Sequence, residues 1–510
     1  MEILNSFFNW IMSKRITQIQ EFMDNPHEVQ GNIFDYLIGM ARHTEWGKKY
    51  GYSDISNFDQ FRERVPVSSY EQFFPYIERM MHGEQRLLWP TKVKWFAKSS
   101  GTTNARSKFI PVTDESLEEC HFKGGKDLVS LYVNKNPETK LFGGKTIAIG
   151  GTYQKNELNA KMYYGDVSAI IMKNLPIWAE YMRAPGIDVA LMDNWEEKIE
   201  KMARLTTDED ITNISGVPTW TIVLLERILE ITGKDNIAEV WPNIELFSHG
   251  AVAFDPYRET FKKLIPKSDM NYLEIYNASE GFFGMQDTNK PNEMLLMLDY
   301  GVFYEFIPSS EFDKEYPKTI GLADVKIGEN YAIVISTNGG LWRYKIGDTI
   351  RFTSTTPYRF KISGRTKHFI NAFGEEVIVE NAEEALTQAC KVSGAEVVNF
   401  TVAPVYLETG KKGGHQWLIE FEKLPENKEL FRNTLDETLR KINSDYDAKR
   451  AHNLALVMLE IIELPKNTFY DWMKRRGKLG GQHKVPRLSN NREYVEDILL
   501  MLSESRTPTP

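Results

Sequence analysis

The chain has 510 residues, a formal net charge of −9, 42% apolar and 12% aromatic residues, and two cysteines, Cys120 and Cys390. That length exceeds what one hydrophobic core holds, and the composition is that of a folded multidomain protein rather than a disordered one. The acidic balance weighs against a nucleic-acid partner, which calls for a basic face larger than the cluster Lys474, Arg475 and Arg476, and two cysteines exclude a disulfide framework and suit a reducing cytosol.

Apolar residues recur at three and four spacing over 7–22 and 33–40, predicting helices. The run 7–12 is broken by Asn9, is followed by Lys14 and Arg15 and has no small-residue cleavage site, so it reads as a helix and not as a signal peptide. Ser69 is a good N-cap for a helix through Tyr76 and Met80 that Gly83 stops. From residue 145 short β-rich runs, such as 146–149 and 244–247, alternate with helices, one of them starting at Pro218 and running through Leu229. That alternation predicts an α/β core. Between 294 and 362 helical signals vanish. Strand runs such as 331–335, punctuated by Asn338, Gly339 and Gly340 and by Gly347 and Asp348, predict an antiparallel sheet or small barrel closing the large domain. Beyond Gly364 the pattern becomes strand, helix, strand, strand, helix, strand, with helices over 380–392 and 427–442 and a last strand over 454–464, which fits a compact α+β domain. The expected division is a large domain over 1–364 and a small, mobile domain over 365–510. The stretches 221–231 and 454–464 are the most apolar, but both are short and contain glutamates, so neither spans a bilayer. A cytoplasmic protein with no membrane or nucleic-acid partner is expected.

Three segments carry possible chemistry. Ser99, Ser100, Gly101, Thr102, Thr103, Asn104, Ala105, Arg106, Ser107 and Lys108 combine short hydroxyls, a glycine and a lysine, which suits wrapping of a polyphosphate. The segment is not a P-loop, and an ordinary polar surface loop has the same composition. Tyr276, Asn277, Ala278, Ser279, Glu280 and Gly281 follow a strand over 272–275, at the strand edge where α/β proteins build ligand sites. There Tyr276 offers a ring for an adenine and Glu280 a hard oxygen for Mg²⁺, although a lone glutamate in a turn is ordinarily just solvated. Trp342, Arg343, Tyr344, Lys345, Ile346, Gly347 and Asp348 end in an aspartate read as lying in a tight turn, suited to a ribose diol, with a plain hairpin turn as the alternative.

Taken in order, with Gly364, Arg365, Thr366 and Lys367 at a domain border, these segments resemble the adenylate-forming superfamily of acyl-CoA synthetases, adenylation domains and luciferases. The closer resemblance is to the plant auxin-responsive acyl-acid amido synthetases, the Gretchen Hagen Three family. Trp241, Pro242 and Asn243, and Lys484, Val485, Pro486 and Arg487, extend it over about residues 95 to 490.

The resemblance implies a large N-terminal adenylate-forming domain with an α/β core and a β-barrel-like portion, plus a small C-terminal α+β domain. It implies ATP with Mg²⁺, a small carboxylic acid, and transfer of the acyl group to an amine, with an acyl-CoA ligase or a noncatalytic nucleotide- or acid-binding protein of the same fold as alternatives. ATP contacts fall to Ser99, Ser100, Gly101, Thr102, Thr103, Tyr276, Ser279, Asp348 and Arg365, with Lys108 nearby as a catalytic cation and Glu280 on the metal. Ala105 departs from the family's usual glycine. Gly250 and Ala251 are expected beside the substrate carboxylate, and Trp220 in the acyl pocket with Trp178, Tyr181 and Met182, residues that also suit ordinary core packing. His249 is either a general base or a packed structural histidine. Lys484 is the expected adenylation lysine, with Lys478 as competitor, and Lys367 is the expected hinge.

Overall fold

The structure is a computed structural model that describes residues 14–99, 108–156, 159, 161–312, 314–365, 369–407, 412–451, 455–476 and 485–506. The helix Pro26–Ala41 opens on proline, whose fixed φ suits a first helical turn, and buries Phe34, Leu37, Ile38 and Ala41. The helix Tyr70–Met81 follows Ser69 as the sequence predicts. The Gln72 side chain reaches back to accept the Ser69 N–H at 2.7 Å, and Gly83 at φ +108 ends the run.

The centre of the molecule is one ten-stranded sheet. Its order from one edge is Val302–Pro308, Asn330–Thr337, Tyr344–Thr355, Tyr358–Arg365, Met294–Leu296, Gly281–Met285, Asn271–Ala278, Leu246–His249, Ile211–Gly216 and Lys145–Ala148. The last four strands are parallel and all others pair antiparallel. Helix Pro218–Thr232 crosses between two of the parallel strands, with Pro218 at its first turn as expected. The antiparallel segment predicted over 294–362 is thus continuous with the parallel half. Asn271–Ala278 is the strand where direction switches, the kind of discontinuity beside which open α/β sheets make ligand clefts.

A second sheet orders Lys108–Val112, Trp95–Ser99, Tyr163–Gly165 and Tyr153–Lys155. Its register sets Ser99 directly opposite Lys108, so the two ends of the Ser/Thr/Gly segment meet at one point. Residues 100–107 between them lie outside the described residues.

The C-terminal part orders Glu396–Val405, Gly414–Lys423 and Glu460–Leu464 into a three-stranded sheet, backed by Val379–Ser393 and Lys428–Ile442. Two further helices, Thr468–Arg475 and Glu493–Arg506, follow the last predicted strand. They escaped the sequence reading although Phe469, Trp472 and Met473, and Val495 and Ile498, carry a helical spacing and are buried. This part shares a buried cluster with the large one, in which Ile370, Phe373 and Val377 pack with Phe254, Tyr257 and Trp220. Tyr257 Oη donates to the Ala372 carbonyl at 2.5 Å, and Asn371 Nδ2 to that of Ala251 at 2.9 Å. Among the described residues no helix is long and apolar enough to cross a membrane.

Candidate active site

Asn271–Ala278 reverses into Gly281–Met285 through Ser279 and Glu280 alone, with Ala278 paired to Gly281. Tyr276, Asn277 and Ala278, read from sequence as part of the turn, belong to the strand. The tight reversal uses Gly281 at φ +157, a conformation that favours glycine. Both turn residues stay half-buried.

Asp348 also sits differently from its sequence reading. It lies inside the strand Tyr344–Thr355, and the chain reverses earlier, at Asn338, Gly339 and Gly340. Gly347, at φ +103, marks a bulge, because Ala332 pairs with Thr349 but Val334 pairs with Lys345. Such a bulge re-aims the neighbouring side chain.

Asp348 faces Arg365 across the sheet, and Arg365 Nε donates to Asp348 Oδ1 at 2.6 Å. Tyr276 Oη donates to the other oxygen, Oδ2. Arg365 Nη2 reaches Glu376 Oε1 at 3.2 Å, its guanidinium lies 4.9 Å from the Phe369 ring, and its Nη1 is buried with no partner among the described residues. Three strands thereby bring a phenol, a carboxylate and a guanidinium into one chain of hydrogen bonds. Burial works against the Arg365 charge, but Asp348 and Glu376 more than offset it and hold its pKa above the ordinary value. Burial and the Asp348 carboxylate keep Tyr276 a phenol by raising its pKa well above the usual range.

Lys108 adds a buried cation. Its Nζ donates to Tyr344 Oη at 3.3 Å and lies 5.8 Å from the Tyr70 ring, which the Phe109 N–H fixes by donating to Tyr70 Oη at 2.8 Å. Burial lowers the Lys108 pKa, while Glu280, Glu376 and Glu71 act against that shift. Burial raises the Glu280 pKa, Lys108 opposing and Asp348 adding. Each of these groups senses the other's charge, which ties the Lys108 and Glu280 ends of the two segments to one electrostatic site. Ser99 and Ser279 are half-buried at the ends of the same segments.

The remaining expected residues take other positions. A Cβ on Gly250 would come within 2.5 Å of the Ile275 carbonyl, so glycine there lets two strands approach beside the site. Ala251 is exposed at φ +70, a strained conformation for a residue with a Cβ. Trp220 is buried in a different cluster from Tyr276, stacked on Trp195 at 4.2 Å with Lys449 Nζ 5.2 Å from its ring. Tyr181 is exposed, and the Trp178 side chain lies outside the described residues. His249 is buried against Phe254, centroids 3.9 Å apart, and burial lowers its pKa to about 3, the packed alternative for this residue. Ser100, Gly101, Thr102, Thr103, Lys367, Lys478 and Lys484 fall outside the described residues.

Sequence reasoning missed Glu376, Tyr70 and His121, and gave Tyr344, inside the third segment, no role of its own. His121 is buried, its Nδ1 lies 2.9 Å from Asn277 Oδ1, and burial lowers its pKa to about 4. A separation of 156 positions left no local pattern from which to find that pair. The two depressed histidines have a thermodynamic consequence. Both are neutral when folded and titrate near 6.5 when unfolded, so their contribution is fully present above pH 6.5 and is lost as pH falls from 6.5 toward 4 and 3. Between pH 7.5 and 5.5 each should cost about 1 kcal/mol. Urea denaturation at the two pH values checks this: the pH-dependent loss should shrink by about 1 kcal/mol in His249→Gln.

Three family profiles match the chain: the GH3 family N-terminal domain at residues 15–270, the GH3 family central domain at 295–365 and the GH3 family C-terminal domain at 380–493. An indole-3-acetic acid-amido synthetase, GH3.3 of Arabidopsis thaliana, is 24% identical, the alignment covering 93% of this chain and 91% of that protein. A 4-substituted benzoates-glutamate ligase, GH3.12 of Arabidopsis thaliana, is 23% identical over 92% and 94%. A solved GH3.15 acyl acid amido synthetase in complex with 2,4-DB superposes with a TM-score of 0.61, 17% identity and 96% of each chain covered, which shows the shared fold.

Proposed function

The chain belongs to the GH3 family, and we propose that it is an AMP- and pyrophosphate-forming ligase joining a small carboxylic acid to an amino acid through an acyl-adenylate. The observation that carries this reading is the junction of Tyr276, Asp348 and Arg365 beside Lys108 and Glu280 at the switch strand. Relatives named as amido synthetases and a benzoate-glutamate ligase support the amide and the amino-acid acceptor.

In the first half-reaction a carboxylate oxygen of the acid attacks the α-phosphorus and the bond to pyrophosphate breaks. In the second, the amine nitrogen attacks the acyl carbon, AMP departs with the electron pair of the broken bond and the nitrogen gives up a proton. Little covalent chemistry falls to the protein, so positioning and charge stabilisation dominate. Tyr276 lies against adenine, Asp348 takes the ribose hydroxyls on lone pairs left free by its two present donors, and the orphaned Nη1 of Arg365 turns to an anionic oxygen. Lys108 and the segment from Ser99 through Thr103 hold phosphate oxygens, with Ser279 beside them, and Lys484 enters from the small domain. Gly250 and Ala251 border the acyl group in this reading.

The donor set fits Mg²⁺ of one kind. Among the described residues no group of three His, Cys, Asp or Glu side chains is arranged for a metal, whereas Mg²⁺ characteristically rests on one carboxylate plus substrate phosphates. Glu280 would supply that carboxylate, and Mg²⁺ held there would supply charge neutralisation for the departing pyrophosphate.

The two half-reactions need different surroundings. Residues 1–364 form the nucleotide- and acyl-binding domain and 365–510 a small domain that turns about Lys367. Lys367→Pro should retain acid-dependent pyrophosphate exchange while amide formation falls at least about tenfold. Equal loss of both, measured on one preparation, rules out the hinge assignment. The acceptor is tested by offering an amino-acid panel and coenzyme A separately to enzyme charged with each active acid. Amide with stoichiometric AMP is the expected product, and thioester alone would replace the amino acid by coenzyme A.

A further inference from the structure

The helix Lys123–Lys135 is preceded by a π-turn, Leu117–Phe122. Such turns insert an extra residue into the helical ladder and are frequent at functional sites. Neighbouring side chains of a regular helix diverge by about 100° and do not face one partner. Here two consecutive buried side chains, Cys120 and His121, reach the same place. Cys120 Sγ accepts the Phe282 N–H at 3.1 Å, and His121 Nδ1 lies 2.9 Å from Asn277 Oδ1, an acceptor, so Nδ1 carries the hydrogen. Asn277 and Phe282 are cross-strand partners, the pair immediately behind the Ala278 and Gly281 pair that closes the turn at Glu280. One helical turn later Gly124 admits the Phe282 ring so closely that a Cβ would stand 2.5 Å from it. The π-turn therefore grips both strands of the hairpin one step from its tip.

We propose that His121 is a positioning residue for adenylation: by holding Asn277, with Cys120 holding Phe282, it fixes the height and tilt of the Ser279 and Glu280 turn against the nucleotide phosphates. This inference rests on the adenylation reading. His121 touches no reacting atom in this role. The local economy of the site explains why such a clamp is needed. A two-residue turn has no side-chain packing of its own at its tip, and Glu280 must keep a half-buried carboxylate near Lys108 without an intervening rigid element.

The test measures acid-dependent pyrophosphate exchange as a function of ATP, Mg²⁺ and acid for His121→Ala, His121→Asn, Asn277→Ala and the double variant of His121→Ala with Asn277→Ala. A displaced turn lowers the maximal rate about 10- to 100-fold and raises the Mg²⁺ giving half-maximal rate, while KM for the acid stays within about twofold. His121→Asn, which restores an N–H near the same place, recovers most of the rate. The double variant is no worse than the poorer single variant, as expected when both changes break one interaction. Unchanged exchange in folded His121→Ala, a defect confined to the KM of the acid, or losses that multiply in the double variant would overturn the proposal. If His121→Ala does not fold, Asn277→Ala carries the same prediction from a half-buried strand position. Should the unaltered protein exchange with no acid, the adenylation reading fails first. The thermal shift on adding ATP then tests the clamp: with Mg²⁺ it should shrink in Asn277→Ala, with EDTA it should not, and an equal response in both proteins counts against the clamp.

Discussion

Glu280→Ala should lower acid-dependent pyrophosphate exchange about 100- to 1,000-fold, the range seen when one preorganised electrostatic group is removed from a reacting centre. The carboxylate is half-buried, burial raises its pKa, and Lys108 and Asp348 act on it in opposite directions. Such a group is costly to keep unless something cationic uses it. Glu280→Gln separates the two roles open to it. It preserves the shape and hydrogen-bonding capacity of the turn and removes only charge. A Gln variant as poor as Ala, with its half-maximal Mg²⁺ moved upward, identifies charge as the essential property. Recovery by Gln to within about threefold of the unaltered rate would reduce Glu280 to a turn residue.

Asp348→Ala has the second largest expected effect, on stability as well as rate. The carboxylate accepts from Tyr276 and from Arg365 at 2.6 Å, and its side chain is 14% exposed against 15% for Arg365. Removing it leaves a buried phenol unsatisfied and a guanidinium whose remaining hydrogen bond among the described residues is the longer one to Glu376 at 3.2 Å. Breaking a buried ion pair from one side costs about 3 kcal/mol or more, because the surviving charge stays desolvated. Urea denaturation should show that loss, and KM for ATP should rise at least about tenfold with the ribose acceptor gone. Asp348→Asn keeps an acceptor for Tyr276 but not the negative charge, so it should recover part of the stability and little of the ATP affinity. Unaltered ATP dependence in a folded Asp348→Ala would remove Asp348 from the nucleotide site.

How much of this was legible in the sequence depended on distance along the chain. Local rules performed well where they had local causes: Pro218 and Ser69 began helices as their backbone chemistry demands, and the apolar run 331–335 marked a real strand. The errors at Gly347 and at Tyr276 to Ala278 share one origin. A glycine followed by an aspartate has the same composition in a tight turn and in a bulge, and only the pairing of Ala332 and Val334 with the partner strand decides between them. Tyr276, Asn277 and Ala278 read as following the strand over 272–275, yet cross-strand pairing to Gly284, Phe282 and Gly281 keeps them extended.

The site itself divided in the same way. Tyr276, Glu280, Asp348 and Arg365 stood in short motifs whose order could be compared with other chains. Glu376, Tyr70 and His121 enter through packing and hydrogen bonds, and their residue types alone signal nothing. Trp220 shows the opposite limit. A large aromatic beside a predicted ligand region looks like a pocket wall, but it is stacked on Trp195 beneath Lys449 in a cluster that joins the two parts of the chain. Hydrophobicity reports burial without reporting what is on the other side.

The central claim is acyl-adenylate formation, and exchange of labelled pyrophosphate into ATP across a panel of carboxylic acids in the presence of Mg²⁺ tests it most directly. At least one acid should drive exchange well above the acid-free background, and that exchange should disappear in Glu280→Ala. A folded protein that shows no acid-dependent exchange across a broad panel of aromatic and aliphatic acids would contradict the account.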